Sequence, residues 1–175
     1  MADARFVPVF FDHAEVLYVN NEHYAELVGK YALKVIDPFR YQQIKYEEIG
    51  TDMQVQMLNE ALRIQKDDPN NFGANYIMAS IYIAQEKYDL ALFHAEMLIS
   101  YYPELSYGYS LKGDLFFGMK RYDESAALYE KALEMGQTSK NENVYWNLHA
   151  SYAKLKKYKK AYKVLSKYVN PFNPY

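Results

Sequence analysis

The chain has 175 residues, half of them apolar, with 24% charged side chains and a formal net charge of −2. This suffices for one domain or a short repeat array with a real core, and gives no global field to attract nucleic acid. Cysteine is absent, which excludes disulfides, thiolate metal sites and cysteine nucleophiles.

At the N-terminus, MADARFVPVFFDH places Asp3 ahead of a short apolar run broken by Pro8, which does not read as a signal peptide. No later run approaches the roughly 20 apolar residues that span a bilayer. A cytoplasmic location is the resulting expectation. Residues 6–19 read as a first helix, with Pro8 tolerated in its opening turn. Residues 25–38 read as a second, with small Ala25, Gly29 and Ala32 on one side and Pro38 as the stop. Residues 39–50 and 53–69 predict another helix pair, with Met57, Leu58, Ala61 and Leu62 as the apolar stripe. Ala61 lies eight residues before Pro69, whereas Leu98 lies five before Pro103, so the helix ending near 69 should be about one turn longer.

From residue 72 onward the sequence repeats itself. Tyr88, Tyr122 and Tyr158 stand in QEKYD, MKRYD and LKKYK, separated by 34 and 36 residues. Three positions after each come Ala91, Ser125 and Ala161, all small; six before come Tyr82, Phe116 and Tyr152, all aromatic. This pattern predicts helical hairpins, with one helix before each tyrosine and one after. Small residues let the two backbones approach, and aromatic rings fill the space beside them. Pro103 ends one second helix, and Gly136 is placed to cap the next.

These units resemble the tetratricopeptide repeat family. The likeness rests on Ala79, Tyr82, Tyr88, Ala91 and Pro103 in one unit. In the next it rests on Gly113, Phe116, Tyr122, Ala126, Tyr129 and Ala132, and in the last on Trp146, Leu148, Tyr152, Tyr158 and Ala161. It covers residues 72–169. Lys112, where a large apolar residue is usual, and His149 and Tyr168, where small ones are, depart from the pattern. The resemblance implies an all-α fold, a right-handed superhelix of stacked antiparallel helix pairs. Its single domain would hold two degenerate pairs over 1–71 and clear units at 72–105, 106–141 and 142–175.

No catalytic constellation is visible. His13, His23, His94 and His149 lack the spacing of a helical metal site, and no phosphate-binding glycine loop or nucleophile elbow occurs. His94 reads as an exposed flank residue and His149 as a structural one. Asp67 and Asp68 read as part of a solvated loop. The expectation is a protein without enzymatic activity, cofactor, metal or small-molecule substrate.

In the resembling family the first helix of each pair lines a concave groove. Carried over by position, the groove residues here are Tyr76, Ser80, Ile83, Tyr107, Asp114, Phe117, Asn143 and Trp146. Some relatives clamp a chaperone's C-terminal carboxylate with lysine and asparagine; Tyr76 and Ser80 stand at those positions, so that partner is excluded. The aromatic groove implies an extended or apolar peptide instead. The leading expectation is a protein–protein interaction adaptor. The alternatives are a self-assembling scaffold or a chaperone shielding an apolar segment of a secreted partner.

Charge is distributed unevenly. Residues 138–175 hold eight lysines and one acidic residue, against a net −9 for the rest. Lys156, Lys160, Lys163 and Lys167 are expected to share one helix face. That face reads first as the polar cap that helical arrays need for solubility. Its sharper reading is contact with an acidic partner, a second copy or, peripherally, an anionic membrane; otherwise neither nucleic acid nor membrane is an expected partner. The C-terminal VNPFNPY reads as a proline-stopped tail, and also resembles Asn-Pro-Phe and Asn-Pro-x-Tyr linear motifs.

Overall fold

The structure, a computed structural model, describes Asp3 and residues 5–136 and 142–169. It begins with two strands, β1 (Phe6–Phe11) and β2 (Val16–Asn20). Eight helices follow among the described residues: α1 (Ala25–Tyr31), α2 (Thr51–Asp67), α3 (Phe72–Ala84), α4 (Tyr88–Tyr101), α5 (Tyr107–Gly118), α6 (Tyr122–Glu134), α7 (Glu142–Lys154) and α8 (Tyr158–Val169). A single 3-10 turn at Tyr41–Gln43 lies between α1 and α2.

The helices from α3 onward form antiparallel pairs, α3 with α4, α5 with α6 and α7 with α8. Successive pairs also touch, α4 on α5 and α6 on α7, and the first helices meet along one side, α3 on α5 and α5 on α7. The second helix of each pair starts at the repeated tyrosine: Tyr88, Tyr122 or Tyr158. The turn before it recurs residue for residue. Glu86, Lys120 and Lys156 each adopt positive φ, at 56°, 61° and 58°. The following amide donates back to the aromatic carbonyl six positions before the tyrosine. These bonds are Lys87 to Tyr82 at 2.8 Å, Arg121 to Phe116 at 2.8 Å and Lys157 to Tyr152 at 2.9 Å. This is the αL closure that satisfies the last carbonyls of a helix.

The small residues sit where helices touch. Ala91, Ser125 and Ala161 are buried. A Cβ added to Gly113 would come within 2.7 Å of the Tyr129 ring, which is fully buried against it. The departures from the repeat are absorbed locally: Lys112 pairs with Glu96 at 2.9 Å, and His149 Nδ1 lies 3.1 Å from the Ala161 carbonyl. Gly136, at φ 73°, ends α6 as expected.

The first fifty residues differ from the expectation. Residues 6–19 are not a helix but the antiparallel β1–β2 hairpin, so the fold is mostly helical rather than all-α. Val, Phe and Tyr dominate both strands, and such side chains suit a pleated, half-buried surface. The register breaks between Pro8 and Phe10, as befits a proline that cannot donate to a ladder. Asp12 closes the turn by accepting the Ala14 and Glu15 amides at 2.7 and 2.8 Å.

The helix expected over 25–38 ends at Tyr31. Beyond it the amides of Lys34, Val35 and Ile36 turn to the Glu60 carboxylate on α2, at 2.6, 3.2 and 3.0 Å. A side chain 24 residues or more away replaces the helical acceptors. Residues 39–50 supply only the 3-10 turn and irregular chain. The two degenerate helix pairs over 1–71 therefore reduce to one short helix and one long one. That long helix, α2, has 17 residues against 14 in α4, and buries Met57, Ala61 and Ile64. Leu62, placed on its apolar stripe, is instead exposed.

Polar side chains fasten the hairpin to the helices. Phe11 is fully buried, with its ring 5.1 Å from Tyr41. Asn71 caps α3 through the Ala74 amide (2.9 Å) and donates to the Phe11 carbonyl (2.8 Å). Asn75 donates to the Asn71 carbonyl at 2.8 Å and meets His94 Nδ1 at 2.9 Å. His94 is thus buried rather than exposed, stacked on Tyr82, and burial lowers its pKa to about 4. Its neutral ring serves as a core hydrogen-bonding group.

Candidate functional site

Where α3, α5 and α7 lie side by side, their outer faces and the segment 42–47 enclose a cleft of about 490 Å³. Tyr76, Ser80, Ile83, Asp114, Phe117 and Asn143 all line it. The other two groove residues expected from sequence do not. Tyr107 packs edge-on against Phe72 and Tyr76, with centroids 5.6 and 6.0 Å away. Trp146 is 46% exposed beside His149, away from the cleft. Tyr76 itself has a double role, since its ring also stands edge-on to Tyr41 at 5.5 Å.

Asp114 is the chemical centre of the cleft. It lies on α5, half-buried, and accepts Tyr129 Oη from α6 at 2.5 Å and Asn147 Nδ2 from α7 at 2.8 Å. Both bonds fall on Oδ1. Burial pushes its pKa up to about 6, against the pull of these two donors, and the nearby Glu47 carboxylate adds to the rise. Burial also raises the Tyr129 hydroxyl well above the ordinary phenol range, so Tyr129 stays a donor.

Sequence reasoning missed Tyr129 and Asn147 as site residues, and the 42–47 segment altogether. Asn147 follows Asn143 by four positions, so helical spacing alone puts the two on one face. Tyr129 enters the sequence reading only as a residue of the repeat pattern, and it is its hydroxyl that reaches Asp114. Residues 42–47 carry no signal, because they were read as helix.

The basic face is partly rearranged. Lys156 precedes α8 and occupies the positive-φ turn, so it does not share the helix face. Lys160, Lys163 and Lys167 are exposed and line a second depression opposite Glu130 and Glu134. Lys160 also lies 5.1 Å over the Tyr152 ring, whose hydroxyl donates to Glu130. Three lysines thus share one depression with two acids. Asp68, read with Asp67 as loop, accepts the Asn70 amide at 3.1 Å. The VNPFNPY motif lies outside the described residues, apart from Val169 at the end of α8.

Among the described residues, no group of three His, Asp or Glu side chains is placed to hold a metal, and no helix is long and apolar enough to cross a membrane. No protein-family model matches the chain, and no significantly similar curated protein was found.

Proposed function

We propose that the chain is a tetratricopeptide-like repeat protein, a right-handed superhelical array that works without catalysis as a protein–protein interaction adaptor. It takes an extended segment of its partner into the cleft between α3, α5, α7 and residues 42–47. The observation that carries this reading is the composition of the cleft. Tyr76, Phe117 and Ile83 offer apolar contact, while Asn143 and Asn147 offer amides that can pair with a peptide backbone. The rest of the array holds these groups on rigid helices, as recognition requires.

Selection from a displayed library of random heptapeptides tests the proposal. Enriched peptides should lose about tenfold or more in affinity for Phe117→Ala, folded as judged by circular dichroism. Failure of any peptide to enrich, or equal binding to the variant, would overturn the reading.

A second reading, self-assembly through the N-terminal end, has its own support. Among the described residues β2 has β1 as its only strand neighbour, and it exposes Leu17 and Tyr18. Beside it Val9, Phe10, Leu17, Val19 and Leu27 line an apolar pocket of about 290 Å³. An unpaired strand edge with apolar side chains favours pairing with another chain. Light scattering over a range of concentration decides it: a monomer throughout excludes this reading.

A further inference from the structure

Among the described residues, the cleft contains a carboxylate without a cation beside it. Asp114 is pinned by Tyr129 and Asn147, both neutral donors and both on Oδ1. Among the described residues no donor reaches Oδ2. The cleft also holds Glu47, Glu86 and Lys45, and Lys45 is engaged by Glu48 at 2.9 Å. Among the described residues the acids thus outnumber the one lysine, which is already paired. Buried carboxylates are usually matched by an opposite charge, and Asp114, half-buried, has lost part of its hydration with only neutral hydrogen bonds in return.

We propose that the segment bound in the cleft carries a basic side chain, an arginine in the best case, whose head group pairs with Asp114 Oδ2 alongside the Phe117 ring. This deepens the peptide-binding reading and rests on it. The geometry favours arginine over lysine. A planar guanidinium can bond a carboxylate and lie against an aromatic face at once, and it is the less strongly hydrated cation. An acidic segment would meet Asp114, Glu47 and Glu86 together and be repelled. A purely apolar one would cover the Asp114 charge and leave it unmatched. Asn143 and Asn147 flank the site on α7, one helical turn apart, and are placed to hold the main chain on either side of the basic residue.

The heptapeptide selection, repeated on Asp114→Asn, tests the inference. Asparagine keeps the Oδ1 acceptor for Tyr129 and Asn147, so the fold should survive. Peptides selected on the wild type should share an arginine or lysine. Replacing that residue with glutamine should weaken binding about tenfold or more. The same replacement should make little difference to binding by Asp114→Asn. Cleft-dependent peptides without basic enrichment would overturn the inference and leave peptide binding standing. Loss of all cleft-dependent binding would overturn both. A carboxyl titration of Asp114 followed by NMR in the free protein is the independent check. Titration near 6 is expected, whereas titration at or below 4 would show a carboxylate whose charge is already compensated and would overturn the inference.

Discussion

The residues before α2 and those from α3 onward bury apolar side chains by different means. From α3 onward, one arrangement is used three times: small residues at helix contacts, an aromatic ring six positions before a tyrosine, and a positive-φ turn between them. Each unit carries its own instructions. The residues before α2 hold one short helix, a two-stranded hairpin and irregular chain. Their shape depends on side chains far away in sequence, with Glu60 binding three successive amides and Asn71 holding the Phe11 carbonyl. Local rules therefore describe the later region well and the earlier one poorly. The cleft lies where the two meet, and residues 42–47 form its far wall.

Phe11→Ala offers the strongest way to break this contrast. If the hairpin is part of the core, losing this fully buried ring should destabilise the whole protein by about 3–5 kcal/mol in urea unfolding. A loss below about 1 kcal/mol would make the hairpin an appendage.

The next test concerns pH. The folded pKa of His94, about 4, lies below its ordinary 6.5, so the folded state resists a proton that the unfolded chain accepts. Stability from this group is complete above pH 6.5 and falls as the pH drops toward 4, by up to about 3 kcal/mol. Asp114 has the opposite sign. Its folded pKa, about 6, lies above the ordinary 3.8, so its stabilising share is present below 3.8 and is lost as the pH rises through 6. The two nearly cancel between pH 4 and 6. Urea titrations at stepped pH should show a shallow slope for wild type, a steeper acid loss for Asp114→Asn, and the reverse slope for His94→Gln. Unchanged slopes in both variants would refute the assignment.

Glu60→Ala sharpens the comparison from the other side. It leaves the part-buried Val35 and Ile36 amides and the exposed Lys34 amide without their acceptor and should cost about 2 kcal/mol. Hydrogen exchange should speed up at Lys34, Val35 and Ile36 and remain unchanged in α5–α8. The smallest effect belongs to the repeat turns. Lys120→Gly should stabilise by about 0.5–1 kcal/mol, since glycine takes positive φ without the Cβ penalty. A loss of stability there would mean that the lysine side chain holds the turn.

The same contrast explains what could be read from the residues alone. Tyr88, Tyr122 and Tyr158 placed the second helices, because a pattern repeated three times outweighs local ambiguity. The resemblance to a known repeat family, not the pattern itself, put Asp114, Phe117 and Asn143 on one side, and all three line the cleft. The hairpin was missed although FVPVFF and VLYVN are rich in β-formers; a short apolar run reads equally as strand or helix. The end of α1 was missed because its cause, Glu60, stands on another element. His94 was misplaced for the same reason: its burial follows from Asn75 and Tyr82, on a different helix.

The recurring turn has a consequence for how this chain can be lengthened. The bonds that close it run within its own unit, and among the described residues the extensive contacts of each helix pair are with the elements next to it in the row. A duplicate of residues 72–105 spliced in after Leu105 would bring its own turn, but its first helix would meet α4 where the original meets α2 and the hairpin. The seam would fall between Leu105 and Ser106, in the short connection from α4 to α5. Such an insertion adds one more first helix to the row and widens the recognition surface by that amount, leaving the hairpin at one end and α8 at the other as they are.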